Sequence, residues 1–105
     1  MTKKVYSVEE IKQIVTPIAM RHGLRQVYLF GSYAKGTANG TSDIDLCVDA
    51  TNLPGMFALG GLYAELKETL KKDLDLITLK ALQAAPDAGF RANLEKERIL
   101  IYERE

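Results

Sequence analysis

The chain has 105 residues, the length of one domain, and its 47% apolar and 27% charged content is that of a folded globular protein rather than a disordered tail. Fourteen Lys and Arg balance fourteen Asp and Glu, which argues against a general binder of nucleic-acid backbones, because that task needs a positive face to displace counterions. A single cysteine, Cys47, excludes an internal disulfide or a cysteine-based zinc knuckle, and a single histidine, His22, excludes a multi-histidine metal site.

The first seven residues carry Lys3 and Lys4 with no apolar block after them, so they do not read as a signal peptide. No apolar run approaches the ~20 residues of a bilayer span. The expected location is therefore the cytoplasm, with no membrane contact. Ser7-Val8-Glu9-Glu10 is a capping box that opens a helix. Val8, Ile11, Ile14, Val15, Ile18 and Ala19 follow at helical spacing, and Gly23 supplies a stop. Pro17 removes one backbone hydrogen bond from that helix, which predicts a kink and an irregular exit turn.

Arg25 to Phe30 reads as a strand ended by Gly31-Ser32. Tyr33 to Ser42 reads as a short helical turn followed by a loop. Asp43 to Val48 is a second strand, and Leu74 to Leu79 a third. Between them Met56, Leu59, Tyr63, Leu66 and Leu70 form one stripe of a helix. Gly60-Gly61 inside it costs about 1 kcal/mol per glycine relative to alanine, which predicts close packing or a distortion there. Ala88 to Lys96 reads as helix, and residues 99–102 as a fourth strand in preference to an extension of that helix. The alternation predicts an α/β (α+β) fold over a single domain, residues 1–105: a small mixed sheet with helices packed mainly on one face.

Side chains alternate along a strand, so Asp43 and Asp45 share one face while Ile44 and Leu46 point into the core. Two adjacent carboxylates repel unless a cation stands between them, and hard divalent ions such as Mg²⁺ prefer such oxygens. Asp75 in the third strand is placed to join them. Asp73 competes with it, but Asp75 is bracketed by apolar residues whereas Asp73 follows Lys71-Lys72 at the strand entrance. Gly31-Ser32, between a strand and a helical turn, offers a backbone that a phosphate can approach. A phosphate cradle beside a metal-binding carboxylate pair suits phosphoryl or nucleotidyl transfer.

Gly31-Ser32, ten further residues and then Asp43-Ile44-Asp45 resemble the signature of the DNA polymerase beta-like nucleotidyltransferases. The runs from Leu29 to Gly36 and from Ser42 to Leu46, with the later Asp75-Leu76-Ile77-Thr78, resemble the minimal nucleotidyltransferase branch over nearly the whole chain. Lys35 departs from the arginine common there, keeping the charge but losing the two-pronged fork. The resemblance implies that Asp43, Asp45 and Asp75 bind two Mg²⁺ ions and carry catalysis, with Asp75 serving the acceptor hydroxyl as base or as the base's metal-bound helper. It implies that Gly31 and Ser32 hold the nucleotide phosphates, with Lys35 and Ser42 as further nucleotide contacts. It also implies transfer of AMP from ATP to a tyrosine of a small helical HEPN-domain toxin, with this chain as the antitoxin. A homo-oligomer is compatible with it, and direct nucleic-acid binding is not expected. Two other readings stand beside it: an antitoxin that acts by contact alone, and a nucleotidyltransferase for small molecules of the aminoglycoside kind.

The remaining conspicuous residues have plainer expectations. His22 suits a helix end, Cys47 a small core position, Lys71-Lys72 a solvated helix terminus, and the stripe from Met56 to Leu70 the core. Tyr33, which follows the phosphate turn, is open as a nucleotide contact.

Overall fold

Ser7 opens the first helix as its sequence requires, its hydroxyl accepting from the Glu10 amide at 3.0 Å while the Glu10 carboxylate accepts from the Ser7 amide at 3.0 Å. The computed structural model describes residues 3–104; Met1 and Thr2 of the opening segment, and Glu105, lie outside the described residues. Helix α1 spans Val8–Arg21 and continues through Pro17. Its exit is regular, contrary to the expected irregularity. The Leu24 amide reaches the Ala19 carbonyl at 3.0 Å and the Gly23 amide that of Met20 at 3.2 Å, closing a Schellman turn. Gly23, at φ 70°, supplies the left-handed residue this turn needs, so the proline's effect does not reach the helix end. His22 caps the same end, with Nε2 2.8 Å from Glu65.

The other elements are β1 (Gln26–Phe30), α2 (Gly31–Lys35), β2 (Ile44–Asp49), α3 (Met56–Leu70), β3 (Leu74–Thr78), α4 (Leu79–Gln83), α5 (Ala88–Glu97) and β4 (Ile99–Glu103). Residues 99–102 are thus strand, as favoured. The four strands form one sheet in the order β3-β2-β1-β4. Strand β1 pairs antiparallel with both β2 and β4, while β2 and β3 are parallel and joined across α3.

Alternation along the strands makes two unequal layers. Val27 and Leu29 of β1, Ile44, Leu46 and Val48 of β2, and Leu74 of β3 bury against Ile11, Val15 and Ile18 of α1 and Leu62, Leu66 and Leu70 of α3. On the opposite face Tyr28, Phe30 and Cys47 form a smaller cluster with Leu82 of α4, and Ile77 and Leu94 pack against it. The helices therefore lie mainly on one face, as expected, and Cys47 is a core residue whose thiol burial pushes up to about 11. Helix α4 is an addition to the expected pattern. Leu79, read as the end of the third strand, instead begins this helix, and Thr78, the last residue of β3, caps it by accepting from the Ala81 amide at 3.1 Å.

The buried stripe of α3 also differs from the expected one. Leu62, Leu66 and Leu70 face the core, while Met56 is 83% exposed and Tyr63 lies at the surface. Nothing lies within 4 Å of a side chain added at Gly60 or Gly61, so no close packing explains the glycines. Tyr33 resolves toward the core: it is 3% exposed and packs in the larger layer. Its hydroxyl finds no hydrogen-bond partner among the described residues. A buried, unpaired hydroxyl costs stability, so Tyr33→Phe is expected to be neutral or to stabilise by about 1 kcal/mol, measured by urea unfolding.

Candidate active site

The strand registers bring one residue from each of three strands into a row. Phe30 at the end of β1 stands opposite Asp45 on β2, and Asp45 opposite Asp75 on β3. The row lies on the smaller, α4/α5 side of the sheet, which half-buries Asp45 and leaves Asp75 exposed. Asp43 immediately precedes β2, two residues before Asp45, close enough for its charge to act on that carboxyl. Asp73, the competitor, sits outside β3, is 69% exposed at its side chain and pairs loosely with Lys67 at 3.9 Å. The geometry thus unites Asp45 with Asp75 rather than with Asp73.

Gly31 starts α2 with φ 70° and presses against Asp45: a β-carbon there would lie 2.0 Å from Asp45 Oδ2. Only glycine lets the turn approach the carboxylate this closely. Ser32 follows it, half-buried. Lys35, at the end of α2, has Nζ 3.4 Å from Glu97 of α5. A cavity of about 460 Å³ opens here, bounded by Gly31, Lys35, Asp45 and Asp75 on the sheet side and by Phe90, Leu94 and Glu97 of α5. Ser42 is elsewhere. Its Oγ accepts from the Asn39 amide at 2.9 Å, and it borders a separate hollow of about 220 Å³ with Asp43, Lys72 and Asp73.

Burial pushes the Asp45 carboxyl up to about 6, assisted by the adjoining Asp75 carboxyl, which shares a hydrogen bond with it, and by Asp43. The folded protein therefore binds this proton more tightly than the unfolded chain, whose Asp titrates near 3.8. The stabilisation is present below that value and is lost as pH rises through about 6. Solvent screening of a half-exposed group limits the effect to about 1 kcal/mol. The Tm advantage of Asp45→Asn over wild type is expected to be small at pH 4, to grow up to pH 7 and then to level off, as thermal melts across that range would record.

Asp43, Asp45 and Asp75 are hard oxygen donors on adjoining strand ends, and a divalent cation would relieve the crowding that raises the Asp45 carboxyl. That donor set fits Mg²⁺. As the side chains stand, no three acidic, His or Cys residues among those described converge tightly enough to hold an ion. Sequence reasoning missed the α5 wall, although Phe90 and Leu94 are spaced as one helix face. It also misjudged Lys72, which is 3% exposed rather than solvated. Among the described residues no helix is long and apolar enough to cross a membrane.

Residues 9–105 match the family described as Polymerase beta, Nucleotidyltransferase. A Methanocaldococcus jannaschii relative, MJ0435, is 36% identical over 76 residues, covering 72% of this chain and 82% of that protein. The protein adenylyltransferase MntA of Thermococcus cleftensis is 32% identical over 82 residues, covering 74% of this chain and 83% of its own. Among solved structures, a toxin–antitoxin crystallised with AMP-PNP superposes with a TM-score of 0.69 at 25% identity, over 90% of this chain and 74% of that one.

Proposed function

The chain belongs to the polymerase beta nucleotidyltransferase family, and from that premise we propose that it transfers AMP from ATP to a hydroxyl, a tyrosine's, on a HEPN-domain toxin and so acts as its antitoxin. The observation that carries the reading is the juxtaposition of Asp45 and Asp75 with Gly31 at the mouth of one cavity. The name of the Thermococcus relative and the AMP-PNP bound by the toxin–antitoxin neighbour support the choice of nucleotide and partner. Residues 1–105 act in this reading as one domain, in the cytoplasm.

In this reading Asp43, Asp45 and Asp75 would hold Mg²⁺, which would supply positive charge to offset the triphosphate. Gly31 and Ser32 lie against the phosphates, and Lys35 exchanges Glu97 for a phosphate oxygen. Ser42, outside that cavity, acts through its bond to the Asn39 amide, which fixes the turn leading into Asp43. Asp75, the more exposed of the paired carboxylates, takes the proton of the acceptor hydroxyl. The acceptor oxygen then attacks the α-phosphorus, the bond to the bridging oxygen breaks, and pyrophosphate leaves.

The test incubates this protein with a HEPN partner, ATP and Mg²⁺, separates the two and weighs the intact partner. The expected partner is heavier by one or more AMP groups and stays inactive after separation. An unmodified partner that recovers on separation would replace this reading with inhibition by contact.

A further inference from the structure

Lys72 is, among the described residues, the one charged side chain that is buried, and it lies outside the chemistry assigned above. It follows Lys71, the left-handed cap of α3 at φ 56°, and precedes β3. Its Nζ donates to the Gly40 carbonyl at 3.0 Å. Taking an ammonium out of water costs several kcal/mol before its hydrogen bonds offset this.

The carbonyl it holds belongs to a stiff turn. The Asn39 amide donates to Ser42 Oγ at 2.9 Å, the Thr41 amide to Asn39 Oδ1 at 2.9 Å, and the Ser42 amide to the Asn39 carbonyl at 3.1 Å. Gly40 is also pressed from the N-terminal segment: a β-carbon there would meet the Lys3 carbonyl at 2.6 Å. Asp43 is the next residue after this turn and precedes the β2 ladder, whose first amide, Ile44, bonds the Asp73 carbonyl at 3.0 Å. A block so bonded moves as one body, and Lys72 ties that body to the approach to β3, the strand that carries Asp75.

We propose that Lys72 is a positioning residue that fixes Asp43 relative to Asp75 by holding the Asn39–Ser42 turn through the Gly40 carbonyl. The proposal rests on the reading of Asp43 as a metal-holding carboxylate. Its consequence is that metal affinity depends on a lysine that touches neither metal nor substrate, as outer-shell partners of metal sites do.

The test compares wild type, Lys72→Met, Lys72→Arg and Asp43→Asn. Amide hydrogen exchange is read at Thr41, Ser42 and Ile44 in the nucleotide-free protein, and Mn²⁺ affinity by the spin-resonance signal of the free ion. The Mg²⁺ concentration for half-maximal AMP transfer is read alongside. Lys72→Met is expected to speed exchange in the turn, and to weaken Mn²⁺ and Mg²⁺ dependence about tenfold with the partner's KM unchanged. Lys72→Arg, which keeps charge and donors, is expected to restore most of the loss. Unchanged exchange and metal dependence in Lys72→Met would overturn the proposal, whatever its Tm. Should Lys72→Met not fold, Lys72→Gln is read in the same way. Full activity in Asp43→Asn would instead overturn the reading of the site, so the two failures are distinguishable.

Discussion

Asparagine at Asp45 or at Asp75 is expected to lower AMP transfer by about a hundredfold or more, while Asp73→Asn stays near wild type. The two positions differ in role but share a cause. Asp45 and Asp75 face each other across the parallel β2–β3 ladder, and in the proposed reaction the acceptor hydroxyl would need a base beside the triphosphate. Asp73 is outside the ladder and turned toward Lys67, so its charge is spent at the surface. A second readout separates loss of chemistry from loss of fold. Asp45→Asn removes the carboxylate that burial and Asp75 disfavour, so the inactive variant should melt higher than wild type at pH 7. Rates of mass gain on the partner and melting curves on the same samples decide this. An inactive Asp73→Asn beside an active Asp75→Asn would reverse the assignment.

Gly31→Ala is expected to destabilise the protein by about 3 kcal/mol, combining the left-handed backbone penalty with overpacking, and to abolish transfer. For a domain of this size that is roughly 15 °C in Tm. The added methyl would occupy the place of Asp45 Oδ2, 2.0 Å away, so either the turn or the carboxylate must leave its position. Gly36 provides the control. It has φ 76° but nothing within 4 Å of an added β-carbon, so Gly36→Ala bears the backbone penalty alone. The excess loss in Gly31→Ala measures the contact with Asp45. Shortening the opposing side chain, as Asp45→Ala, in the Gly31→Ala background should recover part of that excess. Independent losses in the double variant would mean that the two residues do not meet.

What the sequence displayed was whatever depends on neighbours along the chain. The capping box, the stop at Gly23 and the two-residue period of Ile44 to Val48 are local, and they predicted α1, its end and the face that Asp45 shares. Asp75 was legible because it alternates with Leu74 and Leu76. Features set by distant segments were not legible. Leu79–Gln83 is too short to show a helical period, and only the cap at Thr78 marks its start. Helix α3 is apolar on several sides, so Met56 and Tyr63 looked as suited to the core as Leu62. Which side is buried depends on where the sheet lies. Lys71-Lys72 reads as two surface charges, whereas the second is buried with its ammonium on the Gly40 turn, more than thirty positions earlier. The roof over Asp45 was hidden for a similar reason: α5 carries no fully buried residue and little apolar signal of its own.

The parallel pairing of β2 and β3 has a consequence for how the chain tolerates changes of length. Between them, residues 50–55 connect to α3, with Ala50 and Leu53 packed on the core; residues added at the exposed positions of this loop leave the strand registers alone and alter loop closure by about 0.6 kcal/mol for each doubling of the loop. A single residue inserted between Lys72 and Leu74 has a different effect. It shifts β3 by one position against β2, so that Leu74 meets Asp45 and Asp75 turns toward the layer formed by α1 and α3. Insertions before α3 therefore leave Asp45 opposite Asp75, whereas one after it separates them, although both sites are loops a few residues from a strand.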